Sequence, residues 1–231
     1  MTLAPLTPYC SGKRDQGFTL AEMAIVLLIL GLLASSLLPP LSARMDERGR
    51  QTTAARLQDI EHALIGFAIL HGRLPCPSTE ADPASAHYGL EQTPPCNHAQ
   101  PGFLPWRTLG LTAVDAWGQP RSNVSDSWDG HWRYRPDPGL SDSTITAASA
   151  TQSNIQIRDH AGNAITTLSA SRAAAVVFSM GANHQPDGLN ATHSPHVPTF
   201  QAGETTPVFD DQVLWIGLPL LISRLAQAGR L

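Results

Sequence analysis

The chain has no surplus of positive charge: Lys and Arg number 15 against 19 Asp and Glu in 231 residues, a formal net charge of −4. A nucleic-acid partner wants a basic, aromatic-studded strip, and "WRYR" (132–135) is only a fragment of one, so no nucleic acid is expected. Charge of either sign is scarce, at 15% of residues. The sequence also lacks a GxSxG elbow, a P-loop, a dinucleotide fingerprint, an HExxH pair and any CxxC knuckle, which removes the usual signatures of hydrolase, nucleotide and zinc chemistry. Ser, His and Asp occur without a spacing that marks them as catalytic. No catalytic residue is assigned, and an enzyme is not expected.

Cysteine is sparse too, with only three. Cys76 and Cys96 sit in Pro-, Asn- and His-rich surroundings ("RLPCPS", "TPPCNH") that read as loop. A disulfide is their simplest use, closing a loop that in an oxidising compartment stabilises the fold by roughly 3 kcal/mol. Two unrelated free thiols are the alternative. Cys10 is left over.

What the chain does have is one long apolar run. Residues 18–38 carry a single formal charge, Glu22. As a helix rising about 1.5 Å per residue this stretch spans about 31 Å, close to the hydrocarbon core of a bilayer. A cleaved secretory signal fits poorly, because the run is long and "LLPPLSARM" offers a weak small-x-small site. A plain signal anchor has no use for an acid. An ionised carboxylate in hydrocarbon costs several kcal/mol and calls for a partner. Cleavage between Gly17 and Phe18 would make one, a free α-amino group four residues before Glu22 and on the same helical face.

"GFTLAE", preceded by Lys13 and Arg14 and followed by an apolar helix reaching Pro39, closely resembles the class III signal of type IV pilins and type II secretion pseudopilins. The resemblance implies a prepilin peptidase that cuts after Gly17 and N-methylates Phe18, an assembly role for Phe18, Glu22 and the helix-bending Pro39, and a leader of residues 1–17 that takes Cys10 with it. It further implies a single-pass protein of the bacterial inner membrane, its N-terminus cytoplasmic and its C-terminal head periplasmic. The implied partners are the peptidase, other pilin or pseudopilin subunits and an inner-membrane assembly platform. The expected function is a structural subunit, pilin or pseudopilin, major or minor, of a type II secretion pseudopilus or type IV pilus. The alternative is a membrane-anchored or exported enzyme or binding protein that uses residues 18–38 only as an anchor.

Pro39-Pro40 interrupts the helical ladder, and the pattern resumes from about Leu41 to Leu70. Leu57, Ile60, Leu64, Phe67 and His71 recur at three-and-four spacing on one face, a stripe that reads as core. Residues 72–130 are Pro- and Gly-rich loop. β-like runs follow at 131–135, 154–158, 164–169 and 173–180, with 212–217 as a strand or helix start and a short helix from Pro219. The expected fold class is α+β and pilin-like: a long N-terminal helix, transmembrane half plus amphipathic half, packed on a small antiparallel sheet. The implied divisions are a leader (1–17), a transmembrane and filament-core segment (18–38), an amphipathic continuation (39–71) and a head with a disulfide-stapled loop (72–231).

Two further stretches resemble major pseudopilins. "VDAWGQP", with "WRYRP" after a thirteen-residue insertion-like segment, is similar to their Asp-x-Trp-Gly-x-Pro and Tyr pattern. "FSMGANHQPDGLN" and "FDDQVLWI" resemble their calcium-binding loop and acid-x-x-Trp strand, which implies calcium at Asp187, Asp210 and Asp211. Calcium takes six to eight oxygens from carboxylates and carbonyls, and this spacing is no EF-hand. By themselves these acids also read as Asx-turn and solvated loop residues. His184, His193 and His196 read as exposed loop histidines.

Overall fold

A computed structural model describes residues 19–96, 101–166, 172–192 and 198–231, with the side chains of residues 34–42 outside that description. The chain divides into two compact units, Met1–Met45 and Asp46–Leu231. In order, the elements are α1 (Leu20–His71), β1 (Gly102–Phe103), α2 (Trp106–Leu109), β2 (Arg133–Pro136), α3 (Pro138–Ser141), β3 (Gln156–Arg158), β4 (Ala173–Ser179), a 3-10 turn (Gly188–Ala191), β5 (Thr199–Gln201), β6 (Gln212–Gly217) and α4 (Leu218–Gln227).

α1 is helical at Pro39 and Pro40, where an interruption is expected. A proline withholds only its own N–H and fixes φ near −65°, a helical value, so flanking residues sustain the helix at a local cost. The helix ends at Gly72, whose φ of +72° is the left-handed conformation that favours glycine. Its N–H donates to the Ala68 carbonyl at 2.8 Å.

The second unit is built around a four-stranded, wholly antiparallel sheet in the order β1-β2-β4-β6. β4, "AAAVVFS", is apolar without alternation because it is central and covered on both faces. Ala175 and Val177 pack with Leu57, Ile60 and Leu64 of α1 and Leu221 and Leu225 of α4. Val176 and Phe178 point the other way, into a cluster with Ile155, Ile157 and Phe200. That cluster sits under a two-stranded parallel pair, β3 and β5. The α1 stripe is therefore core as expected, except His71, which is exposed and stacks on Phe67.

Four β-like runs differ in detail. Positions 131 and 132 precede β2, β3 is the last part of 154–158, and 212–217 is a strand, β6. Of 164–169, Ala164 forms an isolated bridge with Arg158, and residues 167–169 lie outside the described residues. Three-residue β5 and the 3-10 turn have too short a period to register in a sequence pattern.

Asp115 of the "VDAWGQP" stretch is buried, and its Oδ1 accepts the N–H groups of Trp117 and Gly118 at 3.0 and 2.9 Å. Its Oδ2 accepts the Ser179 hydroxyl of β4. α1 docks here, with Arg56 donating to the Val114 and Asp115 carbonyls at 3.1 and 2.7 Å. Gly118 and Gly130 pass backbone to backbone, leaving no room for a Cβ on either. The insertion-like 121–133 segment is held through Arg121 and Trp128: Arg121 donates to the carbonyls of Ala81, Val124 and Asp126 and lies over the Trp128 ring, which stacks on Phe103 at 3.6 Å.

Cys76 and Cys96 form a disulfide, with Cα atoms 5.3 Å apart. Beside it, Arg73 grips Glu91 through two N–H groups at 2.9 and 3.0 Å, and Glu91 also accepts the Cys76 N–H.

Candidate functional site

The first candidate region is the start of α1. Thr19 and Glu22 stand in the Ser/Thr-x-x-Glu spacing of a capping box. The Thr19 N–H and hydroxyl donate to Glu22 Oε2 at 2.8 and 2.9 Å, and the Glu22 N–H donates back to Thr19 Oγ1 at 3.2 Å. Glu22 therefore has partners within its own first turn, a signal carried by the spacing of "TLAE". From Leu20 to Leu33 the large apolar side chains are exposed on every side of the helix; Leu20, Leu27, Leu28 and Leu32 are each more than half exposed. Gly17 and Phe18, and the side chain of Pro39, lie outside the described residues. Among the described residues no helix is long and apolar enough to cross a membrane. The 18–38 stretch expected to do so includes Phe18 and the side chains of 34–38, outside that description.

The second region gathers Asp187, Asp210 and Asp211. One carboxylate oxygen from each lies within 4.8 Å of the others. Asp187 closes the loop that leaves β4 and precedes the 3-10 turn, while Asp210 and Asp211 lead into β6. Asp211 is 2% exposed. Its Oδ2 accepts the Asp187 N–H and the Asn190 amide, both at 2.9 Å. The Asp210 N–H donates to Asp187 Oδ2 at 2.8 Å, and Asp210 Oδ2 accepts the Asn183 N–H at 3.1 Å. Oδ1 of Asp210 and Oδ1 of Asp211 are buried with no hydrogen-bond partner among the described residues. Gly181, at φ +63°, passes so close to the Asp210 carboxylate that a Cβ would collide with it.

Burial pushes the Asp211 carboxyl up to about 7, against the hydrogen bonds from Asp187 and Asn190 and reinforced by the neighbouring Asp187 and Asp210 charges. Burial also raises Asp210. A buried carboxylate oxygen without a donor is costly, and two of them within a cluster of three acids would be relieved by a hard cation. The three acids thus converge as a set of oxygen ligands fit for calcium. The other grouping of metal-ligand types, Cys76, Cys96 and Asp142, has both sulfurs in the disulfide and offers no thiolate. His193 and His196 lie outside the described residues.

Comparison with known proteins bears on the first region. Residues 12–38 match the prokaryotic N-terminal methylation motif. The chain is 33% identical to the type II secretion system core protein G of Pectobacterium carotovorum subsp. carotovorum over 105 residues, covering 42% of this chain and 66% of that protein. With the protein of the same name from Dickeya chrysanthemi, identity is 30% over 130 residues, 54% of this chain and 80% of the relative. That from Aeromonas hydrophila is 26% identical over 113 residues, 49% of this chain and 75% of the relative. No solved structure matches the chain. A methylation motif in register with a capped helix, followed by an antiparallel sheet and a length of sequence shared with core protein G, makes this chain a member of the type IV pilin and type II secretion pseudopilin family.

Proposed function

We propose that the chain is a structural subunit, pilin or pseudopilin, of a type II secretion pseudopilus or a type IV pilus. A prepilin peptidase cuts between Gly17 and Phe18 and methylates the new terminus. Residues 18–38 cross the inner membrane, with the leader cytoplasmic and the C-terminal part periplasmic, and then join other subunits on the inner-membrane assembly platform. Phe18, Glu22 and Pro39 serve that assembly. The observation that carries this reading is the methylation motif at residues 12–38 on a chain that also aligns with 80% of a core protein G. An all-round apolar helix surface at 20–33 supports it, since such a surface calls for lipid or for neighbouring subunits.

Asp187, Asp210 and Asp211 hold a calcium ion in this reading, supported by the two buried oxygens without donors. Bound calcium supplies the positive charge that three adjoining carboxylates lack. The chain's own part is to hold Asp187 and Asp211 together through the Asp187 N–H, tying the 181–192 loop to the start of β6.

The deciding measurement is the intact mass of membrane-extracted protein from cells with and without a prepilin peptidase. The expected result is loss of residues 1–17 and gain of one methyl on Phe18 only where the peptidase is present. Retention of Met1–Gly17 in both would end this reading.

A further inference from the structure

Asn190 touches the acid cluster without being an acid. It lies in the 3-10 turn and is 9% exposed. Its Nδ2 donates to Asp211 Oδ2 at 2.9 Å and to the Gln201 carbonyl at 3.0 Å, and its Oδ1 accepts the Gln201 N–H at 2.8 Å. One side chain therefore completes a two-bond ladder with the backbone of β5 and points its remaining N–H at the most buried carboxylate of the cluster. Gln201 adds a second tie to the same turn, its Oε1 accepting the Leu189 N–H at 3.3 Å.

We propose that Asn190 is a positioning residue for the cation site: locked to β5 by Gln201, it commits Oδ2 of Asp211 and so keeps Oδ1, the buried oxygen without a donor, as the one left for a cation. This rests on the calcium reading above. An amide donating to a carboxylate fixes which oxygen is committed and which is free, without adding charge that would compete for the metal. The Asp187 N–H is the other donor to Oδ2, so without Asn190 that oxygen keeps half its donors and is committed less firmly. The amide is locked on three sides: its oxygen and one N–H are spent on β5, which leaves the other N–H a single direction. Chelation then becomes dependent on a strand that supplies no ligand to the acid cluster.

The test is calcium chloride titration of the full chain in detergent, by calorimetry, together with its melting temperature in chelator. Asn190→Leu removes all three hydrogen bonds. Asn190→Ser is a smaller polar residue, tolerated in turns, that falls a bond length short of Asp211; it carries the test if the leucine variant does not fold. Thr192→Val is the control, because Thr192 donates to the Leu189 carbonyl in the same turn at 3.2 Å and has no bond to the acids. Outer-shell partners of metal ligands usually contribute about 10- to 100-fold in affinity, and that weakening is expected for both Asn190 variants, with Thr192→Val close to the parent chain. A purely structural role would lower the calcium-free melting temperature in all three and leave affinity alone. Asn190 variants that bind calcium within about twofold of the parent, far below that outer-shell range, would overturn the proposal. A parent chain that takes up no calcium overturns the site itself, a distinct result.

Discussion

Two buried aspartates in the second unit invite comparison. Asp137 is wholly buried, and its oxygens accept the N–H groups of Gly139, Gln152 and Ser153 and the Ser153 hydroxyl at 2.7 to 3.0 Å. Asp211 is buried almost as deeply but has donors on one oxygen only. Asp137 is an organiser: its charge is spread over donors from α3 and the strand-free 152–153 segment. Asp211 is a half-filled acid held beside two others. Burial by itself therefore says little about what a carboxylate does; the count of donors around each oxygen separates an acid the fold satisfies from one left with a bare oxygen.

The comparison breaks most visibly at Asp137. Asp137→Ala strands four donors in the interior, and a loss of about 3–5 kcal/mol is expected in denaturant unfolding. Calcium is expected not to restore it; a calcium-rescued variant would mean that the two acids are one system. Next, Asp211→Asn is expected to abolish the calcium-induced rise in melting temperature. At a hundredfold excess over Kd, that rise corresponds in the parent chain to about 2.7 kcal/mol. A variant that still gains stability from calcium would leave Asp211 a structural acid like Asp137.

The smallest effect sharpens the contrast from the basic side. His131 is buried among Tyr88, Phe103, Trp106 and Trp128, and burial, reinforced by Arg121 and Arg133, pushes it down to about 4. The folded chain thus binds fewer protons than the unfolded one between about 4 and about 6.5. The stability His131 contributes is present above about 6.5 and is lost as pH falls through that window. His131→Phe is expected to flatten this limb of a melting-temperature profile taken in chelator. An unchanged acid limb would place the titration elsewhere.

The architecture was readable where period and composition were strong. The α1 stripe at Leu57, Ile60 and Leu64, the unbroken apolar β4 and the Pro219 helix start all follow from side-chain pattern. The pairing of Cys76 with Cys96 followed from their loop setting. What escaped was short or non-local: β5, the 3-10 turn, and the Arg121–Trp128–Phe103 stack that fixes the insertion. Of the acid cluster, the resemblance to major pseudopilins pointed to the three acids, and Asn190 was not singled out, because a lone Asn in a Gly-rich loop reads as an ordinary turn residue until Gln201 is brought beside it. Pro39-Pro40 misled in the opposite sense, since two missing N–H groups are less than a helix of this length needs in order to stop.

The pairing of Thr19 with Glu22 has a bearing on maturation. Among the described residues, the side-chain hydrogen bonds that close the first turn of α1 join Thr19 and Glu22. In the proposed maturation, a cut before Phe18 would spare these bonds, so trimming would change the charge at the tip and leave this capping box in place.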